Sequence, residues 1–310
     1  MSEIALSVLV PVHNEAGNVQ PLHEHLSRVL RALGRPYEIL FIDDGSDDAT
    51  LEELETLVEG DGSVRVISLR RNFGKSAALA VGFREVRGER VITMDGDLQD
   101  DPDEIPDFLQ ALDEGYDLVS GWKRTRHDPF TKTLPSRVFN CMTAMATGLK
   151  IHDVNCGFKA YRRDVVKSVR VYGELHRLIP VLADRLGFRV GEKEVRHHPR
   201  RHGRSKYGAS RFINGILDLL TVMFLGTSRR SPLHVFGRLG GLCLAVGGGI
   251  SLYMLAIWIG ERALRVRPLL IGGVILIILG IQFVSLGLLA EMLASTHRDE
   301  EEYSIRRRLP

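Results

Sequence analysis

Hydrophobic and polar positions alternate with two different periods along the first 120 residues of the chain. Residues 5–12 form a short, nearly continuous apolar run, which is typical of a parallel strand buried on both faces. Apolar residues then recur at helical spacing over residues 19–33, and Gly34 ends that pattern. The alternation continues with predicted strands at residues 37–42, 64–69, 91–94 and 117–120, and with predicted helices at residues 50–58, 75–86 and 104–114. Such alternation through short connections predicts an α/β fold with a doubly wound, mainly parallel sheet.

The pattern weakens over residues 123–211, which are rich in Arg, Lys and His. Short apolar pieces in this stretch predict loops and helices rather than a second independent core. Residues 209–224 are amphipathic or wholly apolar and lead into the basic sequence Ser228-Arg-Arg-Ser231. This pattern favours an interfacial helix that lies on a membrane surface, and a core helix of the preceding domain is the alternative.

Two long apolar stretches follow. Residues 239–259 contain no charged side chain, and Gln282 is the only strongly polar side chain in residues 269–290. At about 1.5 Å per residue, a helix of either length crosses a hydrocarbon core of roughly 30 Å. A buried core hairpin is the alternative, but two adjacent uncharged stretches of this length are rare in soluble domains. The sequence therefore predicts two transmembrane helices.

The predicted chain has four parts. They are an α/β domain at residues 1–208, a juxtamembrane helix and linker at residues 209–234, two transmembrane helices at residues 235–292, and a charged tail at residues 293–310. Seven arginines flank the two apolar stretches on the outside, and three lie in the turn between them. Positive charge marks the cytosolic side, so we expect both ends of the chain in the cytosol.

Composition excludes some classes of protein. The net charge of the 310 residues is only +2, which gives no support for binding to nucleic acid. The three cysteines fit no paired or metal-ligand spacing and are expected to be reduced thiols. The first residues carry no positively charged segment, so we expect no signal peptide.

Polar residues follow each of the first four predicted strands. These segments are residues 11–15, 43–46, 70–75 and 95–99. Ligands of an open parallel sheet bind beyond the carboxyl ends of its strands. The sequence therefore predicts a binding site at one edge of the sheet.

Asp95 and Asp97 are separated by one residue and follow the fourth predicted strand. Two carboxylates in this arrangement supply hard oxygen ligands for a divalent cation, which would neutralise a diphosphate. A solvated turn or a helix cap is the alternative for a lone Asp-x-Asp. Asp43 and Asp44 favour the binding site, because acidic residues at such strand ends accept hydrogen bonds from ribose hydroxyls in dinucleotide folds.

The segment Asn72-Phe-Gly-Lys75 is typical of a turn near a phosphate. Gly74 permits a close approach of the backbone, and Lys75 supplies positive charge. The spacing of a P-loop is absent, and so is a Gly-x-Gly-x-x-Gly after the first strand. These absences argue against a P-loop enzyme and against a nicotinamide or flavin enzyme.

Six ordered motifs carry a resemblance to a known family. The sequence resembles the inverting family 2 glycosyltransferases of the GT-A fold. Within them it is similar to the polyprenyl-phosphate branch, which includes dolichyl-phosphate mannose synthase and bacterial undecaprenyl-phosphate sugar transferases. The motifs are Pro11-Val-His-Asn-Glu15, Asp43-Asp-Gly-Ser46, Arg71-Asn-Phe-Gly-Lys75, Asp95-Gly-Asp-Leu-Gln-Asp100, Asp153-Val-Asn-Cys-Gly-Phe-Lys-Ala160 and Arg200-Arg-His-Gly-Arg-Ser-Lys-Tyr207.

The resemblance implies a role for each motif. Nucleotide-sugar contacts are expected from Pro11, Val12, Asn14, Glu15, Asp43, Asp44, Gly74, Lys75, Asp95 and Gly96. Mg2+ or Mn2+ is expected on Asp95, Asp97 and Gln99. The acceptor phosphate is expected on Lys123, Arg124, Arg200, Ser205 and Lys206. Catalytic roles are expected for Asp97, Asp153, Arg200 and Lys206.

The sequence departs from the family in two places. Many relatives have Gly-Ser-Arg where this chain has Gly121-Trp-Lys123, so the basic role passes to Lys123 or Arg124. Some bacterial relatives have Gly-Asp-Phe at Cys156-Gly157-Phe158, so their proposed catalytic acid is missing and Asp153 is a candidate substitute. A phosphate monoester is already anionic near neutral pH, so its attack needs positioning more than a general base.

The leading interpretation is inverting, metal-dependent transfer of one sugar from a UDP- or GDP-linked donor to a polyprenyl phosphate on the cytosolic membrane face. The basic residues 196–206 suit two anionic substrates, and loose binding to anionic lipid headgroups is an alternative use of them. Glu174-Leu-His-Arg177 lines a substrate pocket or is an ordinary helix start.

A processive polysaccharide synthase is the enzymatic alternative, but its Gln-x-x-Arg-Trp motif is absent. A catalytically inactive membrane scaffold is the non-enzymatic alternative. A homo-oligomer is possible.

Overall fold

The computed structural model describes residues 4–124, 140, 143–144, 147–149, 151–173, 175–196, 232–261, 268–296 and 305–309. The chain divides into two compact units. The first contains Met1–Val222 together with Glu302–Pro310, and the second is Met223–Glu301. The predicted interfacial helix at residues 209–224 lies outside the described residues.

The first unit contains an eight-stranded sheet with helices on both of its faces. Its strands are β1 (Leu6–Val12), β2 (Tyr37–Asp43), β3 (Val64–Leu69), β4 (Arg90–Thr93), β5 (Leu118–Trp122), β6 (Lys159–Arg162), β7 (Val190–Glu194) and β8 (Ile305–Leu309). Its helices are α1 (Val19–Ala32), α2 (Thr50–Gly60), α3 (Lys75–Glu85), α4 (Ile105–Asp113), α5 (Arg163–Ser168) and α6 (Ile179–Arg185). Two 3-10 turns, Pro102–Glu104 and Leu175–Leu178, precede α4 and α6.

The strand order is β7-β5-β6-β4-β1-β2-β3-β8. Strands β1 to β4 pair in parallel with their neighbours among the four, and β7 pairs in parallel with β5. Strand β6 is antiparallel to both β4 and β5, and β8 is antiparallel to β3. The predicted mainly parallel α/β sheet is therefore confirmed.

Alternation of side chains along β1 and β2 builds a core on each face of the sheet. Val8 and Val10 of β1 pack with Phe41 of β2 on the face that α1, α2 and α4 cover. Leu9 and Leu40 point to the opposite face, which α3, α5 and α6 cover. Successive residues of a strand face opposite sides, so both faces need apolar residues. This explains the nearly continuous apolar runs.

Three strands were not predicted. Strands β6 and β7 lie within residues 123–211, where the sequence predicted loops and helices, and that prediction was wrong for these segments. Both strands join the main sheet, so the region adds no second core. Strand β8 lies within the predicted charged tail and pairs with β3, with Ser68 opposite Arg307.

The second unit contains two long apolar helices, α7 (Pro232–Glu261) and α8 (Pro268–Thr296). Within them, Phe236–Gly260 and Pro268–Ala290 have the length and composition to cross a membrane, and only 11% of each span is buried. A core helix of a soluble domain is mostly buried, so these values favour a membrane hairpin.

Glycines let the two helices approach closely. A Cβ atom at Gly240 would lie 2.7 Å from the carbonyl oxygen of Gly280, and one at Gly247 would lie 2.7 Å from that of Gly273. Small residues at helix interfaces permit such backbone contacts in membranes. By contrast, a Cβ atom at Gly241 would have no neighbour within 4 Å.

Candidate active site

The carboxyl end of β4 carries an ion pair between Asp95 and Lys75. Lys75 is the first residue of α3, and its Nζ donates to Oδ1 of Asp95. Burial opposes ionisation of Asp95, but the ammonium groups of Lys75, Lys123 and Lys159 outweigh it and hold the pKa of that carboxyl well below its usual range. Asp95 is therefore ionised at neutral pH, as a ligand for a cation must be.

The next acid, Asp97, is held in a tight turn. Its Oδ1 accepts a hydrogen bond from the backbone N of Gln99 at 3.2 Å, and Asp97 is only 6% exposed. Between these two residues, Leu98 has a φ of +60°, which is unfavourable for a residue with a side chain. Leu98 packs against the hydrophobic core, and this contact helps to hold the strained turn.

Hydrogen bonds to the loop after β2 hold the segment after β1. Asn14 has a φ of +57°, its Nδ2 donates to Oδ1 of Asp47 at 2.5 Å, and its Oδ1 accepts from the backbone N of Asp47 at 3.0 Å. The backbone N of Glu15 donates to Oγ1 of Thr50 at 2.9 Å. Pro11 and Val12 are the last residues of β1. A rigid backbone at this strand end suits a nucleotide-binding segment.

Asp43 and Asp44 organise the neighbouring loops. Asp43 accepts from the backbone N of Ser46 at 3.0 Å and from Oγ of Ser68 at 2.7 Å. Asp44 accepts from the backbone N atoms of Phe73 and Gly74, both at 2.8 Å. Burial raises the pKa of Asp44, and these two backbone bonds partly offset that effect. Asp44 therefore positions the turn that leads into Lys75.

Glycines allow the strand ends to approach each other. A Cβ atom at Gly96 would lie 2.7 Å from a methyl carbon of Val12. At Gly157, which lies just before β6, a Cβ atom would lie 2.7 Å from Oδ2 of Asp95. The segment before β6 is therefore packed against the carboxylate that follows β4.

A small cleft opens beside Asp95. Its lining residues are Lys75, Leu79, Thr93, Asp95, Asn155, Cys156, Gly157, Lys159, Tyr161, His176 and Ile179. Lys159 is 3% exposed, and its Nζ donates to the carbonyl oxygen of Cys156. Burial, with a smaller contribution from Lys75, lowers the pKa of Lys159 to about 8. The buried ammonium group of Lys159 thus lines the same cleft as the carboxylate of Asp95.

His176 lines the same cleft and is held from α3. Oγ of Ser76 lies 2.9 Å from Nδ1 of His176 and accepts from the backbone N of that residue at 3.2 Å. His176 and Arg177 are both buried in the 3-10 turn Leu175–Leu178. Glu174, which the sequence grouped with them, lies outside the described residues.

The predicted acceptor-phosphate residues are in different surroundings. Nζ of Lys123 lies 2.7 Å from Oδ1 of Asp100, and both side chains are largely buried. Burial opposes the charge of Lys123, but Asp100 raises its pKa above the ordinary value. Arg124 is exposed and pairs with Glu194 at 3.4 Å. Arg200, Ser205 and Lys206 lie outside the described residues.

Asp153, the candidate substitute for the missing acid, is 1% exposed. Its backbone N donates to Oε1 of Glu192 at 2.9 Å, and its carbonyl oxygen accepts from Oγ of Ser120 at 3.4 Å. It does not line the cleft beside Asp95. Its catalytic role therefore stays a prediction.

A second group of potential ligands was not predicted from the sequence. Nε2 of His25 lies 3.2 Å from Oδ1 of Asp103 and 3.9 Å from Oδ1 of Asp101. Asp101 also accepts from the backbone N of Asp103 at 3.1 Å. The cap of the turn Pro102–Glu104 explains the position of both carboxylates without a cation.

The comparisons identify the family. Residues 7–170 match the family model described as Glycosyl transferase family 2, which is more than half of the chain. The chain belongs to glycosyltransferase family 2. The glycosyltransferase is 38% identical to a dodecaprenyl-phosphate galacturonate synthase of Rhizobium johnstonii, over 97% of this chain and 91% of that protein. It is 35% identical to an undecaprenyl-phosphate 4-deoxy-4-formamido-L-arabinose transferase of Pseudomonas paraeruginosa, over 95% of this chain and 86% of that protein.

Solved structures confirm the GT-A type of fold for this glycosyltransferase. Glucosyl-3-phosphoglycerate synthase from Mycobacterium tuberculosis in complex with phosphoglyceric acid has a TM-score of 0.56 at 22% identity. The same protein in complex with Mn2+, UDP-glucose and phosphoglyceric acid has a TM-score of 0.55 at 22% identity. Each match covers 71% of this chain and 80% of the solved chain.

Sequence reasoning missed two site residues of the glycosyltransferase. Gly157 and Lys159 lie in the motif 153–160, but only the structure places them against Asp95 and in the cleft. No signal in the sequence marks the burial of Lys159, because β6 lacks the apolar run of a central strand and charged residues are rarely fully buried.

Proposed function

We propose that this glycosyltransferase moves a single sugar from a nucleotide diphosphate sugar to a polyprenyl phosphate, with inversion at the anomeric carbon. The observation that carries the proposal is the ionised Asp95 beside Lys75 and Asp97 at the end of β4, in a chain with two apolar helices. The two relatives named above support the acceptor, because both are named for a polyprenyl phosphate. Inversion rests on the family resemblance.

The strand ends supply the groups that a nucleotide diphosphate needs. The rigid segment after β1 and the carboxylate of Asp43 lie where the base and ribose bind in open sheets. Lys75 and the first turn of α3 suit the diphosphate, because a helix N-terminus attracts negative charge. UDP and GDP donors are both compatible with these groups, and a panel of donors separates them.

The residues at the end of β4 fit Mg2+ or Mn2+. Asp95, Asp97 and Gln99 offer three oxygen ligands from one short turn, and Asp95 is ionised. When bound, the ion supplies positive charge that stabilises the departing diphosphate. The chain itself contributes two features. The Lys75 ammonium group lies beside the Asp95 carboxylate, and the turn around Leu98 holds the ligands in place.

A phosphate acceptor removes the need for a general base. Polyprenyl phosphate is already anionic near neutral pH, so the protein has to bring two anions together and hold them in line. We assign this task to Arg200, Ser205 and Lys206, and catalysis to Asp97 with Arg200 and Lys206. The burial of Asp153 agrees with a reaction that lacks a protein base.

We place the reaction on the cytosolic face of the inner membrane. Strand β8 follows both apolar helices yet pairs with β3, so the segments before and after the hairpin share one side. Seven arginines flank the hairpin and three lie in its turn, which favours a cytosolic location for the shared side. Nucleotide sugars are made there, which agrees.

The test is transfer of label from a panel of UDP- and GDP-sugars into the lipid extract of membranes that contain the protein. One donor is expected to give a lipid-linked monosaccharide, and membranes with Asp97→Asn are the control. A labelled polymer would instead indicate a processive synthase. No lipid-linked label above the control from any donor would contradict the proposal.

A further inference from the structure

Lys159 is a buried cation that the proposed roles do not use. It is the first residue of β6, it is 3% exposed, and its Nζ donates to the carbonyl oxygen of Cys156. Among the residues that the structure describes, no carboxylate oxygen lies within 4.0 Å of this nitrogen. An ammonium group has three donors, so one carbonyl contact leaves capacity for a further acceptor.

Burial of the Lys159 ammonium group is energetically unfavourable unless an anion pairs with it. Removal of an ammonium group from water carries a large penalty, and buried charges are therefore usually paired. Asp95 is the only acid that lines the cleft in the described part of the chain, and it already pairs with Lys75. The cleft therefore carries an excess of positive charge.

Other groups around the cleft also suit an oxyanion. Helix α3 begins at Lys75 and places its positive end there. His176 lines the cleft and is held by Ser76, and Leu79 and Ile179 give the cleft apolar lining that keeps the local dielectric low. Ion pairing in such a site is stronger than at an exposed surface.

We propose that this cleft is an oxyanion subsite for a substrate of the transfer reaction, with Lys159 as the counter-ion. The inference rests on the proposed function, because the subsite adjoins Asp95, which we assign to the cation that accompanies the donor diphosphate. Two substrate groups have the required chemistry. One is a carboxylate on the transferred sugar, and the other is the phosphate of the acceptor lipid.

The test uses Lys159→Gln, which removes the charge, and Lys159→Arg, which retains it. Lys193→Gln is the matched control, because Lys193 is a half-buried lysine outside the cleft lining that pairs with Asp107 at 2.9 Å. UDP-galacturonate and UDP-galactose are the donor pair, since they differ only in a carboxylate and a hydroxymethyl group. Thermal unfolding of each full-length variant in detergent reports whether it folds.

The two sources of the oxyanion give different results. If the sugar carries it, Lys159→Gln lowers the ratio of kcat/KM for UDP-galacturonate over UDP-galactose by about 10-fold or more. If the lipid carries it, the same variant raises the KM for undecaprenyl phosphate by about 10-fold with either donor. In both cases Lys159→Arg retains most of the wild-type value.

Binding measurements keep the subsite testable apart from turnover. Calorimetry with UDP-galacturonate, UDP-galactose and inorganic phosphate is expected to show weaker binding of at least one anion to Lys159→Gln than to Lys193→Gln. A folded Lys159→Gln protein with wild-type affinity for all three and unchanged kinetics overturns the inference. Equal losses in Lys159→Arg and Lys159→Gln, together with a lower Tm, also overturn it, because they indicate a purely structural lysine. Wild-type protein that binds these anions but labels no lipid contradicts the proposed function alone.

Discussion

Gly157 leaves no room for a side chain beside Asp95. A Cβ atom there would lie 2.7 Å from Oδ2 and 2.8 Å from Oδ1 of the Asp95 carboxylate. The carbonyl oxygen of Gly157 accepts from Oγ1 of Thr93 at 3.0 Å, which fixes the segment against β4. Any side chain at this position therefore has to displace the carboxylate that we assign to the metal and the diphosphate.

Gly157→Ala is expected to lower kcat/KM by about 10-fold or more, because a shift of the Asp95 carboxylate misplaces a charged ligand. The affinity for Mn2+ with the nucleoside diphosphate of the accepted donor, measured by calorimetry, falls with it. Gly60→Ala is the control, since a Cβ atom at Gly60 has no neighbour within 4 Å. Wild-type activity of a folded Gly157→Ala protein would show that Asp95 is not needed in its present position.

Asp97→Asn is expected to reduce transfer by about 100-fold or more, and chelation of divalent metal does the same to the wild type. Label transfer with and without EDTA measures both effects. Asp103→Asn is the matched control, because Asp103 belongs to the group around His25. Full activity of the wild type in excess EDTA rules out the metal, and a loss confined to Asp103→Asn moves the site to that group.

Lys206→Ala is expected to impair transfer by about 10-fold through the acceptor, with nucleotide affinity within about two-fold of wild type. Its KM for undecaprenyl phosphate and its affinity for the nucleotide are the two measurements. Arg31→Ala is a control for loss of an exposed positive charge. A weaker nucleotide affinity with an unchanged acceptor KM would assign Lys206 to the donor instead.

A cysteine at Ala263 is expected to react with an impermeant maleimide on intact spheroplasts, whereas a cysteine at Ser304 does not. Both are introduced after replacement of the native cysteines by alanine. The expectation follows from the arginine count and from the pairing of β8 with β3. The reverse labelling pattern would place the catalytic unit outside the cytosol, and labelling of both sites only after lysis would argue against a spanning hairpin.

The pair Gly240→Leu and Gly247→Leu is expected to destabilise the helical hairpin by about 1–3 kcal/mol, because leucine at either position clashes with the α8 backbone. Unfolding of the purified protein in detergent measures the change. The pair Gly241→Leu and Gly248→Leu is the control, since both glycines face open space within the unit. Equal effects of the two pairs would show that α7 and α8 do not pack through these glycines.

The sequence predicted the first five strands and four helices within a few residues, because their side chains repeat with clear periods. It missed β6 and β7 for a physical reason. Each is only four or five residues long and carries lysines, as Lys159 and Lys193 show, so neither has the apolar run of a central strand. Strand β8, with Arg306, Arg307 and Arg308 in sequence, lacks such a pattern altogether.

The sequence predicted part of the candidate site. The strand-end rule and the family resemblance named Asp95, Asp97 and Lys75, and the structure brings Asp95 and Lys75 into contact. The roles of Gly157 and Lys159 depend on β6 lying beside β4, which is a pairing between segments far apart in sequence. The sequence marked Asp44 as a candidate contact of the nucleotide sugar. In the structure its carboxylate accepts hydrogen bonds from the backbone of the turn before Lys75.

The return of β8 to the sheet makes the catalytic unit discontinuous along the chain. During synthesis, β3 is an open edge strand until the ribosome has passed both apolar helices, and unpaired edges readily join the strands of other molecules. The sheet of the catalytic unit is therefore completed only after both apolar helices have been synthesised.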